Sequence, residues 1–378
     1  MNVLFVSNDP SIFNPGSASR ARMRAYAAAI KGGELHIISR AARGAREEQE
    51  GTLFLHPVRT PRLLILAFLP PKVRALITAY NIDVVAAQDP FEYGLIALWA
   101  VKGTNAKLYI QIHTDFLSPW FTRNGNLHSL KVRMPFLNRF RLRFADQVLP
   151  KADGIRAVSK RIKDSLTLRY GTRIKEPTVI PIATPLEISA PVPLPPHDFK
   201  FTFVAIGRLE PEKRIEDIID ALARVHGQYP QAGVMLVGRG RERRKLERYV
   251  HKWGLEKHVL FLGERADARG LLQSAQAFIQ ASAYEGYGLT LIEAALARVP
   301  IITTDVGIVG EVFRGYRDVL SVPVADPAAL SIAMVGMIED AQARQLMVRS
   351  AEVAAREHLA AYTDQPTLIA NDLARTLS

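Results

Sequence analysis

Two glutamates, Glu285 and Glu293, bracket the stretch YEGYGLTLIE, with seven residues between them. A carboxylate accepts hydrogen bonds from paired hydroxyls of the kind that sugars and ribose present. Gly286 and Gly288 allow backbone N–H groups to come close to a ligand. The preceding run AFIQA reads as a strand, and a helix is expected from about Leu289. That places Glu285 in a strand-to-helix loop and Glu293 in the early turns of the helix. A helix start offers N–H groups and the positive end of its dipole to an anion. A ligand with a sugar at one end, a diphosphate in the middle and a ribose at the other end would use every part of the loop. The pattern suits a plainer arrangement equally well, with Glu285 capping the helix and Glu293 solvated on its surface.

A second constellation lies upstream. In FVAIGRLEPEKRIEDII, a strand ends at Gly207 and Arg208, and Lys213 precedes a helix. Two fixed cations at the ligand-facing end of a strand suit a diphosphate in charge and donor geometry. Either one alone would read as an ordinary surface charge.

These residues need a scaffold. The chain has 378 residues, of which 48% are hydrophobic, which predicts a globular protein of two domains. It has no cysteine, so disulfides and thiolate metal sites are excluded, and the composition fits a reducing cytosol. The start MNVLFVSNDP reads as a first strand, not a leader, and no run approaches the ~20 apolar residues of a membrane span. VLFVS, ELHIIS, DVVAAQ and KLYIQIH read as strands in the first half; FTFVAIG, GVMLVG, VLFLG, AFIQA and PIITTD do so in the second. Continuous apolar runs separated by helical patterns predict parallel strands buried on both faces. The expected class is α/β, two Rossmann-like doubly wound domains facing a central cleft, with ligands at the carboxyl ends of the strands. The Pro-rich stretch 184–200 reads as a linker between a first domain, 1–183, and a second, 201–358, with 359–378 a C-terminal helix that packs back on the first.

The segments GRLEPEK, LVGRG, FLG and SAYEGYGLTLIEAALARVPIITTDVG together resemble the retaining, nucleotide-sugar-dependent glycosyltransferases of the GT-B fold, glycosyltransferase family 4 or "group 1". The likeness is strongest from Phe201 to Glu311 and weaker in VLFVSND, IHTDF, ADGIRAVS and VIPIAT. It implies a hexosyltransferase that takes its sugar from a UDP- or GDP-linked donor. By the same resemblance, Arg208 and Lys213 hold the diphosphate and stabilise it as it leaves. Glu285 approaches the sugar hydroxyls, and the backbone at Gly286, Tyr287, Gly288 and Leu289 cradles sugar and phosphate. Glu293 binds the ribose, His113 reaches the donor sugar from the first domain, and Gly16 occupies the family's N-terminal glycine loop. Ser17 follows Gly16 where that loop often has a second glycine. Gly263 to Arg265 are placed to meet the base. No Asp-x-Asp occurs, so fixed cations are expected in place of a metal, with no cofactor.

A nicotinamide-dependent oxidoreductase would share the doubly wound design, but no Gly-x-Gly-x-x-Gly follows the first strand, and GRGRER lacks its third glycine. A sugar phosphorylase or epimerase would share the architecture. The net charge of +12 raises nucleic-acid binding, yet no binding module is visible. The charge is concentrated. From Phe116 to Lys175 there are fourteen Lys and Arg against three Asp. Within this segment, Leu130, Met134, Leu137, Phe140, Phe144 and Val148 follow helical spacing, among Arg133, Arg139, Arg141 and Arg143, after FLSPWF, whose aromatics read as exposed. A basic helix with an apolar stripe suits an anionic membrane surface; a core-packed helix with a solvated basic face is the alternative. The expectation is a cytoplasmic enzyme, peripheral at the cytoplasmic membrane face, with a lipid-linked acceptor; a soluble acceptor is the alternative.

Overall fold

The computed structural model describes residues 1–41, 45–61, 64–122, 135–183 and 190–378. These form two compact units. One is built from the chain up to residue 122, from 135 to 182 and from 364 to 378; the other runs from 183 to 363.

The first unit carries an eight-stranded sheet. Its strands are β1 (Val3–Ser7), β2 (Leu35–Arg40), β3 (Glu48–Glu50), β4 (Leu53–Val58), β5 (Val84–Ala87), β6 (Lys107–Ile112), β7 (Gly154–Ala157) and β8 (Thr178–Val179). Their order is β3-β4-β2-β1-β5-β6-β7-β8, parallel except for the edge pair β3–β4. Every residue of β1 and β5 is buried, as a central strand covered by helices on both faces requires. The polar β3 escaped the apolar pattern because it is an edge strand. Its Glu48 and Glu50 hold the buried Arg20 at 3.1 and 2.9 Å.

The C-terminal helix Gln365–Arg375 belongs to this unit. Its Ile369, Ala370 and Leu373 share a core with Val3, Phe5, Met23 and Tyr26. A buried polar knot fixes it. Gln365 donates to the Tyr26 hydroxyl (3.0 Å) and the Pro181 carbonyl (3.1 Å), and Tyr109 donates its hydroxyl proton to Asp372. Beside them Arg156, fully buried on β7, donates to Gln111 (2.7 Å) and to the carbonyls of Ile180 (2.9 Å) and Pro181 (2.8 Å).

The second unit has six parallel strands, β9 (Phe201–Ile206), β10 (Ala232–Val237), β11 (Val259–Gly263), β12 (Ala277–Gln280), β13 (Ile301–Thr304) and β14 (Leu320–Val322), in the order β11-β10-β9-β12-β13-β14. From β9 the chain runs outward through β10 to β11, then crosses back to β12 on the other side. The order therefore reverses between β9 and β12, and the loops leaving those two strands part there. Gly238, just after β10, holds a φ of +141°, and a Cβ there would lie 1.9 Å from the Gly207 carbonyl oxygen. Only glycine lets the β10 loop pass this close to the β9 loop. Among the described residues no helix is long and apolar enough to cross a membrane.

The polar knot leads to a stability prediction. Arg156→Met keeps the volume but takes the arginine's donors from Gln111 and the Ile180 carbonyl and leaves the Pro181 carbonyl only Gln365, so it should lower the unfolding free energy by about 3 kcal/mol or more. Denaturant titration measures it, and a loss below about 1 kcal/mol would show that the knot is not sustained by the arginine.

Candidate active site

The switch point of the second sheet assembles the site. After β9 the chain makes a short 3-10 turn, Pro211–Lys213, closed by the Lys213 N–H donating to the Glu210 carbonyl at 2.9 Å. Arg214 follows in the left-handed region (φ +48°), its guanidinium on Asp217 at 2.7 and 2.8 Å, and the helix Ile215–His226 begins. Burial in that first turn pushes the Asp217 carboxyl up to about 6. After β12 the chain turns at Ser282–Gly288 and enters the helix Leu289–Leu296. The two loops are joined by backbone, Ala283 N–H to the Glu212 carbonyl, at 2.7 Å.

The structure brings Lys213 and Glu285 together. The Lys213 ammonium donates to Glu285 Oε1, and both side chains are largely buried. Ser282 adds its hydroxyl to the same oxygen at 2.7 Å, and its own carbonyl accepts from Thr304 Oγ1 at 2.6 Å. Glu285 is therefore not the helix cap. The cap is Gly288, at φ +96°, with no side chain over the first turn. Tyr287 is buried, and its hydroxyl meets His358 Nε2 at 2.8 Å; burial, with Glu311 and Tyr362 nearby, raises its pKa. Gly307 passes beneath the loop, where a Cβ would lie 2.4 Å from the Tyr287 carbonyl oxygen.

Glu293 is not a solvated helix residue. It is 16% exposed, and its Oε1 accepts from Arg269 Nε (2.8 Å) and Nη2 (2.7 Å). Arg269 is a residue the sequence reading missed. It sits on the short helix Ala268–Leu272, past the Gly263–Arg265 segment. Nothing in the sequence marks a contact between residues 24 positions apart. Arg208 is not drawn into the Lys213–Glu285 pair. It is 72% exposed and bonds Glu212 at 2.9 Å. Gly207 ends β9 beside Lys213, whose Cε would stand 3.6 Å from a Cβ there.

The other residues singled out from the sequence belong to the first unit. His113 ends β6, keeps part of its surface open, and makes no hydrogen bond among the described residues. Dense packing around the ring dominates its titration, with Arg156 and Arg22 adding to it, and pushes its pKa down to about 3. The imidazole is thus neutral at physiological pH. Asp89, another residue missed from sequence, stands past the end of β5, its carboxyl pushed up to about 6 by burial. Gly16 is exposed, and a Cβ there would meet only Asn14 Oδ1, at 3.8 Å. The neighbouring Ser17 caps the helix Ala18–Ala29, accepting from the Arg20 N–H at 3.0 Å. The serine therefore has a structural task of its own in that loop.

The basic helix spans Pro135–Val148. Arg133, Leu130 and Met134 lie outside the described residues. Arg139 and Arg143 are exposed and Leu137 is 43% exposed, whereas Arg141 turns inward onto Glu92 (3.1 Å) and lies over Phe91. The inward face is Asn138, Ala145 and Val148, so the apolar stripe is not one surface: Val148 faces the core and Leu137 faces water. The aromatics of FLSPWF correct the expectation of exposure. Phe116 and Phe121 are buried, clustered with Phe91 at ring distances of 5.4 and 5.8 Å, because the loop folds under the helix, where Asn138 donates to the Phe121 carbonyl at 2.7 Å.

Two family models match. Glycosyl transferases group 1 covers residues 191–353, and Glycosyltransferase Family 4 covers 16–188. The chain belongs to the family 4-like glycosyltransferases. The group 1 match contains all the residues of the β9–β12 site. Among relatives of this glycosyltransferase chain, a glycogen synthase of Mycobacterium tuberculosis is 29% identical over 230 residues. That match covers 58% of this chain and about half, 52%, of the relative's length. A sucrose-phosphate synthase from Thermosynechococcus elongatus superposes with a TM-score of 0.80 at 20% identity, over 100% of this chain and 99% of the other. The Anabaena protein HepE, solved in complex with UDP and glucose, superposes at 0.73 and 21% identity, over 99% and 100%. The fold is that of the GT-B glycosyltransferases.

The titration of His113 gives a prediction for this family 4-like chain. Unfolded, the ring takes a proton near 6.5; folded, only near 3. Between those values the unfolded chain holds more protons, so this residue erodes stability as pH falls from about 6.5 toward 3. His113→Asn removes that loss. Its unfolding free energy relative to the parent should therefore rise between pH 7 and pH 5 in denaturant titrations. A constant difference would show that the ring titrates normally in the fold.

Proposed function

We propose that the protein is a retaining hexosyltransferase that moves a sugar from a UDP- or GDP-linked donor to an acceptor hydroxyl. The observation that carries this reading is the meeting of Lys213 and Glu285, 72 residues apart, at the switch point of the second sheet, beside a helix start whose glycine cap brings no side chain over it. In the reaction the bond from the anomeric carbon to the diphosphate breaks, a bond to the acceptor oxygen forms, and the acceptor's hydroxyl proton passes to the departing diphosphate, which becomes more basic as it leaves. The electron pair leaves with the diphosphate, and the growing negative charge falls on Lys213, on Arg208 swung from its exposed position, and on the first-turn amides of Leu289–Leu296. Fixed protein charges fill the role a metal holds elsewhere. Glu285, released as Lys213 turns to phosphate, accepts from the sugar hydroxyls, and Glu293 accepts from the ribose. A neutral His113 donates one N–H to the sugar without adding charge. Retention is supported by the likeness of the site loops to the retaining family, and product stereochemistry by NMR tests it.

We propose further that the acceptor is lipid-linked and that the enzyme works as a peripheral protein at the cytoplasmic membrane face. The outward-facing Arg139, Arg143 and Leu137 support this.

The donor screen comes first, with uridine, guanosine and adenosine diphosphates and their sugars tested by calorimetry. With the donor known, Lys213→Ala should lower kcat about a hundredfold and raise KM less, since leaving-group charge is largest in the transition state. An unchanged kcat with a raised KM would remove lysine from the leaving-group role.

For the membrane, the protein should sediment with anionic but not neutral vesicles and release with added salt. Arg139→Glu with Arg143→Glu should abolish binding while the fold stays intact, since neither side chain supports the core. Equal recovery in the supernatant with both vesicle types at low salt would point to a soluble acceptor.

A further inference from the structure

The Glu293 carboxylate is used unequally. Both Arg269 donors end on Oε1, at 2.8 and 2.7 Å, while Oε2 accepts nothing among the described residues. One oxygen is tied down and the other is left open. A carboxylate held by one bond can turn about its last torsion; two nitrogens of one rigid guanidinium converging on Oε1 hold that oxygen in place and limit the turn.

Arg269 is itself held. Its helix, Ala268–Leu272, is anchored by the fully buried Leu271 and Leu272. On its other side the segment around Val192 lies against Gly270: the Val192 N–H donates to the Gly270 carbonyl at 3.1 Å, and Ser274 Oγ to the Val192 carbonyl at 2.7 Å. A Cβ on Gly270 would stand 2.6 Å from the Ala190 carbonyl oxygen, so the close approach depends on glycine. The arginine therefore reaches Glu293 from a backbone clamped on two sides, although 41% of its side chain is exposed.

We infer that Arg269 is a positioning residue for the donor's ribose: by occupying Oε1 it aims Oε2 of Glu293 at the vicinal ribose hydroxyls, and so sets the preference of the site for ribose over 2′-deoxyribose. This rests on the reading of Glu293 as the ribose ligand. Arg269 touches neither the sugar nor the reacting atoms in this arrangement. Its contribution is to present the acceptor in one orientation, so that the hydroxyl bond forms without first ordering the carboxylate. A residue that merely tied two helices together would change affinity for both nucleotides alike.

The test uses the full chain and calorimetry with uridine, guanosine and adenosine diphosphates, each beside its 2′-deoxy counterpart. The parent should bind the ribose form of its preferred nucleotide about tenfold more tightly, the size of one hydrogen bond to a charged group. Glu293→Gln should reduce that ratio. Arg269→Ala should reduce it at least threefold, with a lower melting temperature because Glu293 loses its partner, and Arg269→Lys, which keeps the charge but only one donor centre, should keep the melting temperature and give an intermediate ratio. If the parent discriminates and Glu293→Gln does not, yet Arg269→Ala keeps the full ratio, the positioning role is overturned while the ribose reading stands. If the parent itself binds both forms equally, the ribose reading fails and this inference with it.

Discussion

The site depends on one adjacency, the parallel pairing of β9 with β12. Phe203 lies opposite Ala277 and Val204 opposite Phe278, and apart from Thr202 and Gln280 both strands are apolar, with every residue but Ile206 buried. Because the chain winds outward from β9 in one direction and returns to β12 from the other, the loops after these strands diverge and leave their backbones open. The backbone bond from Ala283 N–H to the Glu212 carbonyl holds the two loops together. Lys213 and Glu285 meet as a consequence of that junction, and their pairing would not survive a one-residue slip of β12, which would turn Gln280 and its neighbours to the opposite face.

Charge in the ligand-free site is already balanced. Lys213 neutralises Glu285 and Arg269 neutralises Glu293, so neither largely buried carboxylate stands alone. An unpaired buried charge costs several kcal/mol, and pairing avoids it. Lys213 is therefore an engaged cation in this arrangement. The strain that this packing requires is confined to a few backbone positions. Gly238 and Gly240 pass within van der Waals overlap of the Gly207 and Leu209 carbonyls for any side chain, and Gly307 does the same beneath Tyr287.

The first unit shows the same economy around a different centre. Arg156 would be costly in an apolar core, but three acceptors enclose it, and the Tyr109–Asp372 bond beside it secures the last helix of the chain to the sheet. That helix comes from the far end of the sequence, yet it contributes Ile369 and Leu373 to the core of β1.

Much of this was readable in the sequence. Runs such as VLFVS and FTFVAIG are apolar without alternation, broken only by Ser7 and Thr202, because both faces of a central parallel strand are buried, and no tertiary knowledge is needed to see it. The Glu285–Glu293 spacing announces itself because loop, glycine and helix start are consecutive in the chain. Local polarity hid β3, and β4 carries His56 and Pro57, so the edge of the first sheet was not legible. What only the tertiary structure decided is which charges meet. Arg208 and Lys213 look equivalent in GRLEPEK, but the 3-10 turn and the left-handed Arg214 point one at Glu285 and leave the other in water. Arg269, Ser282 and Thr304 reach the site through sheet order, and Arg141 is claimed by Glu92 from a neighbouring helix. Periodicity records which face of an element is buried, because burial acts on every residue of that element. The partner of a single charge depends on which other element the fold sets opposite, and that choice leaves no mark on the sequence around the charge.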